Sequence, residues 1–238
     1  MKKINKETFF KNYIANISII IMLCMVATVT LNWGSVGVIG NKSDEPIHIG
    51  NKNSSYVSLM FNVYWGTEYI DDILKVLDKY NVKTTFFVGG TWAEKEQEVL
   101  EKIYKEGHEI ANHGYFHKNQ DKLNYEQNYD EINATHILVK SLINVEMNLF
   151  APPSGAYNNS TLKVASELGY KTIMWSKDTI DWRDKDSNLI YSRATNNLKG
   201  GDLVLMHPTE HTLQALPDIL QYISNNNLIA TTVTNTIN

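Results

Sequence analysis

Short runs of β-branched and aromatic residues alternate with longer amphipathic stretches from Tyr56 to the end of the chain. This alternation is typical of repeated βα units, which place helices around a parallel sheet or barrel. The 238 residues, of which 43% are hydrophobic, suffice for one α/β barrel-sized domain or two small ones. Seven strands are predicted, over residues 56–62, 83–88, 109–112, 149–151, 172–175, 203–207 and 229–233.

Helix signals lie between these strands. One helix is predicted over residues 68–80, and a second begins at Thr91, with Glu94 three residues later completing a capping box. A long polar stretch over residues 125–143 predicts a third helix. Further helices are predicted to start near Ser160, Ser187 and Thr212.

Candidate functional residues directly follow the predicted strands. They are Asn62, His113, Pro152, Asp178 and His207. The carboxyl ends of the strands of a parallel barrel meet on one face, where the βα loops build active sites. We therefore expect these residues to lie together at that face.

The amino-terminal part of the chain differs from the rest. Lys2, Lys3, Lys6 and Lys11 precede an uncharged run over residues 13–31. A basic flank before an apolar core of nearly the ~20 residues that span a bilayer is typical of a signal anchor or signal peptide. This pattern predicts membrane attachment and an extracytoplasmic location for the remainder.

The targeting segment is assigned to residues 1–33, and an uncleaved anchor is favoured because no clean small-x-small cleavage site follows the apolar core. Residues 34–54 mix Gly, Asn, Lys and Ser without apolar periodicity, which predicts a linker. The folded domain is then expected over residues 55–238.

The net charge and the single cysteine argue against a nucleic-acid-binding protein and against a fold held by internal disulfides. The formal net charge is -4 and the isoelectric point is near 6.0, so no basic face for a nucleic-acid partner is expected. The single cysteine, Cys24, has no partner for an internal disulfide.

Two histidines four positions apart indicate half of a metal site. His113 and His117 lie in the segment GHEIANHGYFH, residues 107–117, after a short apolar strand pattern. Imidazole is a neutral ligand for Zn and similar ions, and two rings leaving one strand end can converge on one ion. A catalytic zinc site normally has about three protein ligands, so a third must come from elsewhere.

Four segments, in this order, resemble motifs of the polysaccharide deacetylase family, the NodB-homology domain: KTTFFVG at residues 83–89, the H-x-x-x-H segment at 107–117, WSKDTIDW at 175–182 and GDLVLMH at 201–207. The resemblance covers roughly residue 56 to the carboxyl terminus. It implies a distorted (β/α) barrel of about seven parallel strands that removes N-acetyl groups from N-acetylglucosamine units of peptidoglycan or chitin-like polymers.

The resemblance also implies roles for individual residues. The family's chemistry is metal-assisted hydrolysis with a divalent ion, Zn before Co, Ni or Mn, held here by His113 and His117. His207 would be the acid that protonates the departing amine, and Asp181 would orient it.

The substrate contacts implied by the resemblance come from three segments. Leu205 and Trp182 would form the apolar pocket for the acetyl methyl group. The backbone N–H of Ser154, after Pro153, would help to stabilise the oxyanion. The positions of Trp65 and Trp182 are as consistent with packing in the core as with stacking against sugar rings.

Two motifs depart from the family pattern. The family's T-F-D-D-G is MFNVYWG here, so Asn62 takes the place of the catalytic base and Val63 that of a metal-binding aspartate. An amide has no useful proton affinity near neutral pH, and valine cannot ligate. The family's R-x-P-x-G is APPSG, residues 151–155, so the arginine that pairs with the base is also absent. Because the aspartate and the arginine are both absent, neither is left as an uncompensated buried charge.

Three interpretations follow. In the first, Asn62 or a nearby acid, Glu68 or Asp71, completes the metal site and deacetylation persists, slowed by roughly 10² to 10⁴ without a base. In the second, the domain binds a glycan strand as a non-catalytic scaffold. In the third, a metal serves only to stabilise the fold. The form F-N-x-x-W-G also resembles deacetylase-like proteins of spore-forming bacteria, which suggests a wall or spore context.

Overall fold

The computed structural model describes residues 45–238. The predicted anchor, residues 1–33, and most of the predicted linker lie outside this range. Across residues 45–238, no helix has both the length and the apolar character needed to cross a membrane.

Eight parallel strands form the sheet of the described chain, which confirms the predicted α/β architecture. They are β1 (Tyr56–Val63), β2 (Thr85–Val88), β3 (Glu109–Asn112), β4 (Leu149–Phe150), β5 (Lys171–Thr172), β6 (Lys177–Asp178), β7 (Leu203–Met206) and β8 (Ile229–Thr231). Their order is β5-β4-β3-β2-β1-β7-β6, and β8 also pairs with β1. All pairings are parallel. The sheet is therefore the wall of a distorted barrel.

Helices connect the strands and cover the outside of the sheet. They are α1 (Ile70–Lys79), α2 (Gly90–Lys95), α3 (Gln97–Lys105), α4 (Tyr125–Ile143), α5 (Asn159–Glu167), α6 (Ser187–Thr195), α7 (Glu210–Asn225) and α8 (Val233–Ile237). In α1 the buried residues are Ile70, Ile73, Leu74 and Leu77, a spacing that puts them on one face of a helix.

Residues on β1 alternate between two cores. Leu59, Phe61 and Val63 pack into the larger core between sheet and helices, whereas Met60 packs with Phe87 inside the barrel. Successive side chains of a strand point to opposite faces, so Asn62 belongs to the inner face, at the carboxyl end of β1. This placement brings Asn62 into the mouth of the barrel.

The predicted strand over residues 172–175 is wrong in extent. Regular pairing of β5 ends at Thr172, and Ile173 instead forms an isolated bridge with Ile47. The residues just before Tyr56, at the end of the predicted linker, thus pair with the sheet: Gly50 also donates its N–H to the carbonyl of Gly201 at 2.7 Å. Backbone pairing across such a distance leaves no periodic signal in the sequence.

Two other predicted elements differ from the structure. The predicted strand over residues 229–233 ends at Thr231, because Thr232 caps helix α8 through its side chain. The predicted capping box of Thr91 and Glu94 is wrong: α2 begins at Gly90, after Gly89, and no side chain caps it. The carbonyls of Gly114 and Tyr115 accept the first N–H groups of α2 in place of a side-chain cap.

Candidate active site

A cavity of about 320 Å³ opens at the carboxyl ends of the strands. Its lining residues come from five separate segments of the chain: Asn62, Tyr64, His113, His117, Ser154, Trp175, Asp178, Trp182, Leu205 and His207. The expected convergence of polar residues on one face is therefore observed for Asn62, His113, Asp178 and His207.

His113 is fixed by the sheet. It follows β3, its N–H donates to the carbonyl of Val88 at 3.0 Å, and its side chain is 1% exposed. Its ring Nδ1 lies 2.7 Å from the carbonyl oxygen of Ala151, an acceptor, so Nδ1 carries the proton and Nε2 keeps its lone pair. Burial, with His117 nearby, lowers the pKa of His113 to about 3. The ring is neutral and can act as a ligand or acceptor.

His117 lies against an aromatic ring. Its backbone has a φ of 55°, in the left-handed region that non-glycine residues seldom adopt. Its ring stacks on that of Tyr64, with centroids 3.4 Å apart and planes 14° from parallel, and its centroid is 5.1 Å from that of His113. Burial, and next the charge of His207, lowers the pKa of His117 to about 4. This second ring is also neutral at physiological pH.

Asn62 presents an unsatisfied polar atom. The side chain is 3% exposed, and its Oδ1 has no hydrogen-bond partner among residues 45–238. Ala151, in place of the family's arginine, contributes its backbone carbonyl, which lies 2.7 Å from Nδ1 of His113. The pair of substitutions thus leaves no buried charge here, but it leaves one buried acceptor open.

The acids expected as a third ligand lie elsewhere. Glu68 Oε2 accepts from the N–H of Thr67 at 2.9 Å and lines a different cavity, and Asp71 forms an ion pair with Lys102 at 2.8 Å. Each is held by its own loop or helix partner, so the expectation that either completes the metal site is wrong. Val63 packs in the outer core, on the opposite face from the histidines.

The donors in the cavity do not match the metal site that the family implies. Within the described range, no three His, Cys, Asp or Glu residues are grouped to hold an ion. The two neutral imidazoles of His113 and His117 have no carboxylate grouped with them in this part of the chain, although Asp178 also lines the cavity. Catalytic zinc sites normally have three His, Cys or carboxylate ligands, and the Asn62 amide is none of these, so this set does not fit one.

His207 is held firmly by Asp181. The Nδ1 atom of His207 lies 2.7 Å from one carboxylate oxygen of Asp181, and the backbone N–H of His207 donates to the other oxygen at 2.6 Å. Thr212 Oγ1 donates to that second oxygen at 2.5 Å. Because Asp181 is 2% exposed, these bonds fix the tautomer and orientation of the ring and leave Nε2 available. The roles of acid and positioning residue stay predictions.

The apolar walls agree in part with the expected substrate contacts. Leu205, Trp182 and Ser154 line the cavity, whereas Pro153 is buried and is not one of its lining residues. Ser154 has a φ of 56° in the tight turn Pro153–Gly155. The oxyanion role of its N–H remains untested.

Sequence reasoning missed Tyr64 and Trp175 as lining residues. A signal for both was present. Tyr64 lies two positions after Asn62, and Trp175 two positions after Ile173, which packs inside the barrel. Residues two apart on an extended segment share a face.

Known proteins share the sequence pattern of this chain. The polysaccharide deacetylase family matches over residues 49–173. The uncharacterized protein YlxY of Bacillus subtilis is 35% identical over 80% of this chain and 60% of its own length. A peptidoglycan-N-acetylglucosamine deacetylase of Bacillus cereus is 33% identical over 67% of this chain and 58% of its own. The chain thus spans less than two thirds of these relatives.

Solved structures show the same fold. The CE4 family pseudoenzyme BA3943 of Bacillus anthracis superposes with a TM-score of 0.80 at 33% identity, covering 82% of this chain and 70% of that one. A mutant of BA3943 described as having restored enzymatic activity gives a TM-score of 0.80 at 31% identity, covering 82% and 72%. The predicted NodB-type distorted barrel is therefore confirmed.

Proposed function

The chain belongs to the polysaccharide deacetylase family, and from this premise we propose that it binds N-acetylated cell-wall glycans in the cavity at the mouth of its barrel without efficient turnover. Peptidoglycan deacetylases among its relatives support a cell-wall glycan as the ligand. The family reaction removes an N-acetyl group, so the acetamide is the part of the sugar that the cavity is expected to receive.

The unsatisfied Oδ1 of Asn62 is the observation that carries this proposal. The side chain of Asn62 lines the cavity, and its Oδ1 is buried and unpaired within residues 45–238. An unpaired buried acceptor costs about 1–3 kcal/mol, so turning the amide toward a ligand N–H would recover that energy. An acetamide offers an N–H donor and a carbonyl acceptor, and the Asn62 amide can pair with either. A carboxylate at this position could act as a general base, whereas an amide can only form hydrogen bonds with the ligand.

The remaining walls suit an acetylated sugar. Leu205, Trp175 and Trp182 provide apolar surface, and His207 adds one oriented polar group. Ligand pockets combine predominantly apolar walls with a few placed polar groups. The cavity therefore offers a site for both the acetyl methyl group and the sugar ring.

Two observations argue against efficient turnover. The cavity has no carboxylate base at position 62, and its donors do not form the ion site that the family uses. The similar fold of BA3943, described as a pseudoenzyme, gives independent support. General-base assistance alone is worth about 10² to 10⁴ in rate.

A second candidate function is slow deacetylation of N-acetylglucosamine-containing polysaccharide. The intact His207–Asp181 pair favours it, because Asp181 orients His207 to give a proton to a departing amine. Such activity would depend on a divalent ion, Zn before Co, Ni or Mn, and on both neutral histidines, His113 and His117.

One set of variants distinguishes glycan binding from deacetylation. Titration calorimetry of the full chain with N-acetylglucosamine oligomers is expected to give binding that Asn62→Ala weakens about 5- to 30-fold, because the acetamide loses one buried hydrogen bond. The matched control is Asn124→Ala, which removes an exposed helix cap that does not line the cavity and should leave affinity unchanged. Equal affinities in the parent and Asn62→Ala would contradict the role of Asn62.

Acetate release decides between the two candidates. We expect no release from the parent with added Zn or Co, and gain of release in Asn62→Asp would identify the substitution as the block. Release by the parent that His113→Ala abolishes would instead establish the second candidate. If an ion raises the melting temperature without release, it acts on the fold alone.

We also propose that the domain acts outside the cytoplasm. The support is the basic and apolar pattern of residues 1–33, which is typical of a membrane anchor. The cell wall, or the envelope of a spore, is the corresponding site of its ligand. Carbonate extraction of membranes and protease treatment of intact cells test the attachment and its orientation.

A further inference from the structure

A chain of polar side chains joins the histidine loop, residues 113–117, to the outer surface of the domain. Asn112, directly before this loop, is fully buried at the end of β3, although its side chain is polar. Its Oδ1 accepts the N–H of Gly114 at 2.9 Å, and its Nδ2 donates to the carbonyl of Ile132 at 2.8 Å. These two partners fix which way the amide faces, because one is a donor and the other an acceptor.

The chain of hydrogen bonds continues through Tyr170 and His136. Asn112 Nδ2 also donates to the hydroxyl oxygen of Tyr170 at 3.1 Å, and that oxygen lies 2.6 Å from Nδ1 of His136. The other ring nitrogen of His136, Nε2, lies 3.0 Å from a carboxylate oxygen of Glu146. Tyr170 is 5% exposed, whereas Glu146 lies at the surface. A continuous path therefore leads from a surface carboxylate to the backbone of the histidine loop.

Two ionisable groups are bonded to His136 in the described chain. They are Tyr170 and Glu146, and Glu146 also pairs with Lys140. Burial raises the pKa of Tyr170 to about 12, so its hydroxyl keeps its hydrogen. The hydrogen bond from Lys140, with a smaller contribution from His136, lowers the pKa of Glu146. The hydroxyl therefore stays a donor and the carboxylate stays an acceptor.

Every donor in this path has an acceptor when His136 carries one proton, on Nε2. Nε2 then donates to Glu146, while Nδ1 accepts the hydrogen of the Tyr170 hydroxyl. The Tyr170 oxygen in turn accepts from Asn112. The single-proton form thus supports the amide orientation that holds Gly114.

A second proton on His136 removes the acceptor of the Tyr170 hydroxyl. Both ring nitrogens then donate, so the buried hydroxyl hydrogen loses its partner. Turning the Asn112 amide would offer Oδ1 to the hydroxyl, but it would aim Nδ2 at the N–H of Gly114. Either the hydroxyl stays unpaired or the loop loses its bond to Asn112. The doubly protonated ring therefore disfavours the present position of the loop.

We propose that Asn112, Tyr170 and His136 position the histidine loop for glycan binding, and that a second proton on His136 releases the loop. The inference rests on the proposed glycan-binding function and adds regulation of the same cavity by pH. Histidine is the side chain whose charge ordinarily changes between pH 5 and 8. His136 does not line the cavity, so it acts through the loop without touching the ligand.

Calorimetry with N-acetylglucosamine oligomers at pH 7.5 and pH 5.5 tests this proposal on the full chain. The parent is expected to lose about 5- to 10-fold more affinity over this interval than His136→Gln. A glutamine amide can accept from Tyr170 and donate to Glu146 at both pH values, so this variant should bind like the parent at pH 7.5. Groups that titrate inside the cavity affect both proteins equally, so the difference belongs to His136.

Tyr170→Phe separates proton binding from its effect on the loop. This variant keeps His136 but removes the hydroxyl that connects it to Asn112, so its pH dependence should match that of His136→Gln. His48→Gln, a change of an exposed ring, should keep the pH dependence of the parent. The proposal is overturned if the parent and His136→Gln share one profile, or if a folded Tyr170→Phe keeps the profile of the parent. Should Tyr170→Phe lose its native circular dichroism, His136→Gln decides by itself.

A second measurement follows the loop without any ligand. Gly114 is the only glycine of the sequence that follows a histidine, so labelling with carbonyl-13C histidine and 15N glycine isolates its amide signal in NMR spectra. His113 and His117, with pKa values of about 3 and about 4, do not titrate between pH 7.5 and pH 5.5. Over this interval the signal is expected to shift further in the parent than in His136→Gln or Tyr170→Phe.

The two measurements distinguish failure of this inference from failure of the proposed function. If no protein binds glycan but the Gly114 signal behaves as expected, the link from His136 to the loop stands and the glycan-binding function fails. If glycan binds and the Gly114 signal moves alike in all three proteins, the link is wrong and the proposed function stands.

Discussion

Among single residues, Val63 limits what the motif MFNVYWG can contribute to a metal site. Its side chain is fully buried among Leu59, Phe61 and the helices, while its neighbours Asn62 and Tyr64 face the cavity. Position 63 is where the family resemblance implies a metal-binding aspartate. Since the strand points this position away from the histidines, the missing ligand is a matter of geometry as well as of residue type.

We expect Val63→Asp to damage the fold without creating a metal site. Placing a carboxylate in the apolar core should lower the free energy of unfolding by about 3 kcal/mol or more, because no partner compensates its burial. Urea denaturation measures this loss, and Co²⁺ absorption measures ion binding. Val63→Ala is the control and should cost about 2 kcal/mol. A stable Val63→Asp variant that binds Co²⁺ would show that this position can reach the histidines.

The loop that carries both histidines depends on one short helix. The N–H groups of Gly90 and Thr91, in the first turn of α2, donate to the carbonyls of Gly114 and Tyr115 at 2.9 and 3.0 Å. The first N–H groups of a helix have no partner within it, so the loop supplies their acceptors. This contact explains why the helix has no side-chain cap, and it makes α2 a support of the site.

Gly90→Ala should disturb this support. A Cβ atom at Gly90 would lie 2.2 Å from Cδ2 and 2.7 Å from Cγ of Tyr115, so the Tyr115 ring must shift, and with it the loop that bonds to this helix end. We expect a loss of about 1–3 kcal/mol in stability and weaker glycan binding, because His117 shifts with the loop. Thermal unfolding and calorimetry measure the two effects. Thr91→Ala, on the same turn but half-buried, should leave both nearly unchanged, and a Gly90→Ala variant with parental values would refute this account.

Buried histidines make the stability of the whole molecule depend on pH. Burial, followed by the charge of Lys83, lowers the pKa of His108 to about 4, and burial also lowers the pKa values of His113 and His117. Their pKa in the unfolded chain is about 6.5, so between these values the unfolded chain binds more protons. Stability is therefore complete above about pH 6.5 and falls as the pH drops toward 4.

Replacing His108 should flatten this profile. His108 lies outside the cavity and accepts the N–H of Thr84 through Nδ1, which a glutamine side chain can also do. In EDTA, we expect the parent to lose about 1–2 kcal/mol more than His108→Gln between pH 7 and pH 4.5. Urea denaturation at both pH values measures this difference. His48→Gln, a change of an exposed ring, should leave the profile as it is; identical profiles for the parent and His108→Gln would exclude this origin.

Regular elements were predictable because local periodicity governs them. The bounds of β3 (Glu109–Asn112) and α4 (Tyr125–Ile143) agree with the prediction, and the parallel architecture follows from the alternation of strands and helices. The short strand β6 (Lys177–Asp178) was not predicted. Its two residues form a strand only because they pair with Val204 and Leu205 of β7, and pairing of this kind has no local pattern.

The sequence by itself determined the βα architecture and the arrival of His113, His117 and His207 at one face, because the succession of strands and helices and the alternation of side chains along a strand are local properties. Only the tertiary structure decided that Glu68 and Asp71 stay away from those histidines. Their positions depend on loop and helix contacts made across the chain. The unpaired acceptor of Asn62 could not be read from the sequence either, since a missing hydrogen bond exists only once distant segments have packed together.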